Sequence, residues 1–486
     1  MTVTCFIVFT SCATAPVTLT EDVETYTMDN GIVSVRISKV TGDLVSFRYN
    51  GLEMFATTLS PDFHPEAKGD TPSDNPNWND PSISGRAHGY WSHDVMGVRG
   101  SIPAIPSITI DPKTNGGKIA EISIKAISKD RKMGTGPGTN ASEGNLAIDI
   151  ELRYTLEQGA SGVYTYSIFD HNSNYPLGQF GEARYCAKLA SFFDWMSVDT
   201  LVDFYYPKDH NAGDKYVYTA IQSENPAFGW SSTTKNVGLF FINPSMEYMS
   251  GGPSKVEFMG HRDTNAEAAP CALNYWRSSH YGGAEANIAE GEEWNKVVGP
   301  FFIYANSGND HVAIYADAKK RATIETAKWP YEWVKGVDYP LISERAAIKG
   351  ELVLEDQGVE SGKFSNLTVG LTHPAYVSPR PNPFPEVITN WQRDAKFYQF
   401  WTKGNTDGTF EINKVRPGNY TLYAFTDGVL GEFTKADVIV ENGKPIDLGK
   451  LVWTPVRKGK QLWEIGIPNR NASEFFKAEE RRDPEI

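Results

Sequence analysis

The run YTMDNGIVSVRISKVTGDLVSFRYNGLEMF at residues 26–55 limits the fold more than any other part of the chain. Apolar and polar residues alternate along it, as in VSVRIS. Turn formers at Asp29-Asn30-Gly31 and Thr41-Gly42-Asp43 cut it into three short pieces. A period of two buries one face of a strand and cannot make an amphipathic helix. Similar text returns at 118–127, 145–154 and 162–170. The stretch that does run at helical spacing is DHVAIYADAKKRATIETA, 310–327, rich in Ala, Lys and Arg. The sequence therefore predicts an all-β protein with one helix near 310–327.

At 486 residues the chain exceeds what one core supports. A boundary is expected near residue 340. ERAAIKGELVLEDQG (344–358) opens a second unit, which includes the hairpin-rich DGTFEINKVRPGNYTLYAFTDGVLGEFTKADVIVENGK (407–444). Its length of about 110 residues suits a small β-sandwich of immunoglobulin-like size. The Pro-, Asp- and Asn-rich stretch at 61–91 is long for an inert connection and is read as cleft lining. Its acidic residues Asp62, Glu66, Asp70, Asp74 and Asp80 match no metal-loop spacing and are read as a solvated acidic loop.

The net charge of -14 argues against nucleic acid as a partner, because phosphate binding needs a basic surface. A polyanionic substrate would need a local basic cleft in an acidic protein. MTVTCFIVFTSCATAP (1–16) reads as a secretory leader, with a lipoprotein signal lipidated at Cys12 as the second reading. No later run approaches the roughly 20 apolar residues of a membrane helix. The protein is thus expected to be secreted, extracellular and without a membrane span. Beyond Cys5 and Cys12 in the leader, only Cys186 and Cys271 remain. Their spacing fits no zinc motif and leaves open whether they pair. Asn140, Asn366, Asn419 and Asn471 open N-x-[ST] sequons that permit glycosylation.

Six strings carry a resemblance: GEARYCAKL (181–189), GDKYVY (213–218), EYMSGGPSK (247–255), MGHRD (259–263), LNYWRSSHYGG (273–283) and AKWPYEWV (327–334). In order and spacing they resemble polysaccharide lyase family 4, the rhamnogalacturonan endolyases. NKVRPGNYTLYAFTDGVLGEF (413–433) resembles that family's fibronectin-III-like domain. LVWTPVRKGKQLWEIGIPNRNASEFF (451–476) resembles the start of its carbohydrate-binding jelly roll. With the leader placed at 1–20, the resemblance implies a galactose-mutarotase-like catalytic supersandwich at 21–340. It implies a fibronectin-III-like sandwich at 341–453 and a truncated start of the third domain at 454–486.

The activity implied is cleavage of rhamnogalacturonan I at the rhamnose-(1→4)-galacturonate bond by β-elimination. Such a site needs a base for the C5 proton, cations for the charge that builds on the neighbouring carboxylate, and an acid for the leaving oxygen. By resemblance Lys215, in GDKYVY, is the base and His261, in MGHRD, the acid. Arg184 and Lys188 are the substrate-contacting cations; four residues apart, they share a face if that segment is a strand. Tyr248, beside the Ser250-Gly251-Gly252-Pro253 turn, is expected to aim its hydroxyl at a sugar. His280 and Tyr281 are expected to line the same cleft, and Tyr90 and Trp91 to stack on sugars. Fixed Arg and Lys take the place of calcium, so no catalytic metal or other cofactor is expected, and the protein is expected to be a monomer. The alternatives are a non-catalytic pectin-binding relative and a glycoside hydrolase with paired carboxylates acting on the same polymer.

Overall fold

The computed structural model describes residues 14–56, 89–93, 104–128, 147–198, 203–205, 219–262, 270–278, 284–356, 363–380, 385–460, 462–463 and 465–470, with backbone alone at 203–205 and 261–262. Two nine-stranded antiparallel sheets share one apolar interior. In the first, the strands run Thr18–Glu21, Thr25–Asp29, Val33–Ser38, Leu44–Tyr49, Gly89–Ser92, Ala183–Lys188, Pro270–Arg277 and Gly260–Arg262, with Leu52–Glu53 pairing to one side. In the second, the middle is the long Trp294–Ser307 strand, flanked by Gly162–His171 and Val237–Ile242.

The alternation read from the sequence is what buries this interior. Val33, Val35 and Ile37 point inward with almost no exposure, while Arg36 between them faces water. From the other sheet Ile122, Ile124 and Leu152 meet them. Aromatic rings cross the gap edge to face: Trp91, Tyr185, Phe241 and Phe301 sit 5.4–5.6 Å apart. Such contacts add about 0.5–1.5 kcal/mol each beyond the burial of their area.

The helix forms at His311–Lys328, where helical spacing was found. Asp310 caps it by accepting the Ala313 amide at 2.8 Å. It ends before Pro330, whose ring disfavours helix at the preceding residue; Trp329 is already extended. Its buried residues Ile314, Tyr315, Ala318 and Ala322 cover the outer side of the second sheet at Tyr164, Phe240 and Phe302.

A separate core serves residues 346–453. Thr409–Val415, Ala346–Leu354 and Ile446–Trp453 make one sheet; Gln399–Lys403, Thr368–Thr372, Gly418–Phe425 and Phe433–Val440 make the other. One pairing, Ala346–Leu354 with Ile446–Trp453, is parallel.

Buried charges join the two cores. Arg345 grips Glu247 with two hydrogen bonds, 2.6 and 3.1 Å, and stacks 4.3 Å above Trp329. Arg416 lies 3.7 Å from the same carboxylate and 2.7 Å from Asp338. Lys296, fully enclosed, donates to the carbonyls of Ala395 and Phe397. Arg345→Ala should leave Glu247 facing one distant guanidinium. Breaking a buried pair from one side costs about 3–5 kcal/mol, so the thermal midpoint should fall by several degrees; an unchanged midpoint would show that the pair does not join the units.

Lys296 adds a pH dependence. Burial drives its ammonium down to about 7 from 10.5, against the pull of Asp394 and Glu247. Between those values the unfolded chain binds the proton and the folded chain does not, so unfolding takes up a proton and stability rises with pH. The limiting slope is about 1.4 kcal/mol per pH unit. Lys296→Met lacks this contribution. Melting both proteins at pH 7 and 9 should show the wild type gaining on the variant at the higher pH; parallel curves would refute the depressed ammonium.

Candidate active site

Cross-strand register decides which side chains meet on the first sheet. Arg184 lies opposite Ser92 on one neighbouring strand and Tyr275 on the other. Cys186 lies opposite Tyr90 and Leu273, Lys188 opposite Cys271, and Cys271 opposite the backbone of His261. Directly opposed residues share a face. Arg184, Cys186, Lys188, Tyr90, Cys271, Leu273 and Tyr275 therefore occupy the outer face, with the His261 position at its edge. Tyr185, Ala187, Ala272 and Trp276 fill the interior behind it. Tyr90, Cys186, Cys271, Leu273 and Tyr275, with Phe258, form a small apolar cluster of their own on that outer side. The two basic residues border it.

Arg184 is held from two directions. Its guanidinium sits 5.1 Å over the Tyr275 ring and 2.9 Å from the Glu182 carboxylate. The side chain keeps 20% of its surface exposed, so it reaches solvent. Lys188 is nearly enclosed.

Beside this face runs a second, buried pair. Lys255 and Glu257 flank the start of the Val256–Phe258 strand, 3.9 Å apart. Burial pushes the Glu257 carboxyl up to about 7, opposed by Lys255, Ser278 and its own strand's Phe258 amide, and aided by Glu182. Burial also lowers Lys255, with Arg277 adding to the fall and Glu257 resisting it. The charges of Arg184, Glu182 and Glu257 all reach the Tyr275 phenol, which burial holds well above its usual range. A carboxyl half-protonated near neutrality can store or pass a proton. Nothing in the sequence marked Glu257, because an alternating Lys-x-Glu in a strand looks the same whether solvated or buried.

The description "Rhamnogalacturonate lyase family" matches residues 127–211, which contain Arg184 and Lys188; "Polysaccharide lyase family 4, domain II" matches 364–448, within the second core. Over those two segments the chain is similar to the rhamnogalacturonate lyases. Among its relatives, the rhamnogalacturonate lyase of Dickeya dadantii is 28% identical over 68% of this chain and 54% of its own length. The probable rhamnogalacturonate lyase B of Aspergillus flavus is 23% identical over 58% of this chain and 40% of its own. The chain thus spans about half the length, or less, of these curated relatives. Two solved structures are also similar. Galactose 1-epimerase from Lactobacillus acidophilus is 10% identical over 61% of this chain and 99% of that chain, with a TM-score of 0.32. A putative aldose 1-epimerase from Escherichia coli is 8% identical over 58% and 99%, with a TM-score of 0.34. The two-sheet architecture rests on the strand order itself, since scores this low carry no argument.

Two of the expected contact residues point away from the outer face. Trp91, next to outward-facing Tyr90 on one strand, must face the opposite way. Its indole N–H donates to Thr165 Oγ1 at 3.0 Å between the sheets, so it is a core ring and no sugar platform. Tyr248 is also interior. Its hydroxyl donates to Asn243 Oδ1 at 2.8 Å, and Asn243 and Asn274 exchange amide hydrogen bonds. The glycine turn after it does form: Gly251 and Gly252 have φ of +80° and +70°, and a Cβ on Gly252 would stand 2.6 Å from the Trp391 ring. The turn seats Trp391 and does not project Tyr248. Tyr90 is on the outer face but almost closed off by its cluster.

Lys215, His280 and Tyr281 lie outside the described residues, as do the acidic loop at 57–88 and the leader cysteines. Among the described residues no group of three or more His, Cys, Asp or Glu is placed to hold a metal ion. No disulfide joins Cys186 and Cys271.

The interior position of Tyr248 has a measurable consequence. Tyr248→Phe should lose about 0.5–1.5 kcal/mol of stability, the net worth of one hydrogen bond, since Asn243 Oδ1 keeps its Asn274 donor. It should leave polymer turnover within about twofold of wild type, a change worth under about 0.5 kcal/mol in barrier. A loss of turnover at unchanged melting temperature would return Tyr248 to the substrate.

Proposed function

We propose that the chain is a rhamnogalacturonan I lyase that cuts the rhamnose-(1→4)-galacturonate bond by β-elimination and leaves a 4,5-unsaturated galacturonate end. The observation that carries this reading is the register that gathers Arg184, Lys188 and the His261 position on one outer face. That face supplies local positive charge in a chain of net charge -14, as an anionic polymer requires.

The residues divide the chemistry as follows. Arg184 meets the uronate carboxylate through its planar fork, and Lys188 adds charge without that geometry. Together they stabilise the negative charge that moves onto the carboxylate when the C5 proton leaves. Lys215, as the neutral amine, takes that proton, which requires its pKa to drop far below about 10.4. The electron pair then forms the C4=C5 bond as the C4–O bond breaks, and His261 delivers a proton to the departing rhamnose oxygen. His280 and Tyr281 contribute substrate contacts in this reading. The same reading makes the protein a secreted enzyme; among the described residues no helix is long and apolar enough to cross a membrane.

Ultraviolet absorbance of the conjugated product tests this. Mixed with rhamnogalacturonan I the protein should raise absorbance, and with homogalacturonan it should not. Lys215→Ala and His261→Ala should each cut the rate by at least about 100-fold, the usual contribution of a positioned acid or base, while polymer binding persists. New reducing ends without absorbance would mean hydrolysis, and binding without either signal a non-catalytic relative.

A further inference from the structure

Cys186 and Cys271 stand at the centre of the outer face. They are diagonal neighbours on adjacent strands: Cys186 faces Leu273, and Cys271 faces Lys188. Their sulfurs are 3.2 Å apart, and both residues are buried. A disulfide needs about 2.05 Å, so each sulfur has to move by only roughly half an ångström. The side chains already point at one another across the strand gap, the part of disulfide geometry that a chain cannot easily adjust afterwards. We propose that Cys186 and Cys271 are a redox-convertible pair, closing to a disulfide that staples the Ala183–Lys188 strand to Pro270–Arg277 by exchange with a small-molecule disulfide.

The exchange balances. The Cys186 thiolate attacks one sulfur of oxidised glutathione and expels one glutathione thiolate. Cys271, after losing its proton, attacks the Cys186 sulfur and expels the second. The protein gives up two electrons and two protons, and oxidised glutathione becomes two reduced molecules. Enclosure of both sulfurs confines the reaction to folding or to opening of the edge strand Gly260–Arg262.

The state of the pair also sets the charge of the face. Burial alone raises the Cys186 thiol, but the Cys271 hydrogen bond, Lys188, the Tyr90 hydroxyl and Arg184 together pull it down to about 5. A Cys186 thiolate in the reduced pair sits against Lys188 and Arg184. Oxidised, it is neutral and no longer competes with an anionic ligand for these cations, while Arg184 keeps Glu182 beside it. This electrostatic consequence rests on the reading of the face as a uronate site; the bond itself does not.

The full chain is equilibrated in oxidised or reduced glutathione, unfolded, alkylated without further reduction and digested for mass spectrometry. The oxidised sample should yield one linked peptide pair containing Cys186 and Cys271, 2 Da below the sum of the free peptides, since each thiol gives up one hydrogen. Its melting temperature should exceed that of the reduced sample by on the order of 5–10 °C, because the bond closes a long loop. The Cys186→Ala/Cys271→Ala variant should melt identically in both buffers. Alkylation of both cysteines in the oxidised sample, or linkage of either to Cys5 or Cys12, would overturn the proposal. A rhamnogalacturonan I oligosaccharide should bind the oxidised protein several-fold more tightly than the reduced. Equal affinity would overturn the electrostatic part, whereas no binding in either form would count against the uronate site and not against the disulfide.

Discussion

One carboxylate, Glu247, ties the molecule together. It takes both forks of Arg345 and lies beside Arg416, while its own carbonyl accepts the Gln399 amide. Those partners belong to the second core or to the segment leading into it. Glu247 itself begins the stretch that continues through the glycine turn and the Lys255–Glu257 pair to the His261 position. The segment that borders the outer face is therefore fixed from outside the sheet that bears it. Such a buried network is weak evidence for net stability, because desolvation offsets much of the attraction. What it fixes is orientation: a guanidinium that bonds through two parallel hydrogens tolerates little rotation.

Trp391 reinforces the same anchorage through shape. It packs where a side chain on Gly252 would stand, and it stacks against Phe425 of the second unit at 5.9 Å. The glycine is thus required twice, once by its left-handed backbone and once by the ring against it. Among the described residues the second β-unit reaches the outer face through this anchorage and supplies no side chain to it.

The fold was largely legible because alternation is a strong signal over many strands. The helix showed through its spacing, and Arg184 and Lys188 share a face for the reason the spacing implied. The parallel pairing of Ala346–Leu354 with Ile446–Trp453 left no trace, since nothing local encodes which distant strand lies alongside. Tyr90 and Trp91 illustrate the limit of alternation. Adjacent strand residues must face opposite ways, so the string GYW guarantees that one ring points out and one in, yet only register against Tyr185 and Cys186 says which. Tyr248 was misread because a glycine turn fixes where the backbone goes and leaves the preceding side chain free to turn inward toward Asn243. Glu257 and Lys255 were missed because their distinction is burial, a property of the assembled sheet.

The environment of Arg184 shapes what the outer face can recognise. Its guanidinium already has Glu182 at one edge and Tyr275 beneath. An incoming carboxylate must share it with Glu182 or displace that partner, so binding is an exchange of one ion pair for another, with little net gain from attraction alone. Selectivity then falls to whatever the ligand adds beyond charge. On this face the second cation, Lys188, lies two strand repeats away and is nearly enclosed, and Tyr90, Leu273 and Phe258 are buried, so of these residues Arg184, with 20% of its side chain exposed, is the one a ligand meets first.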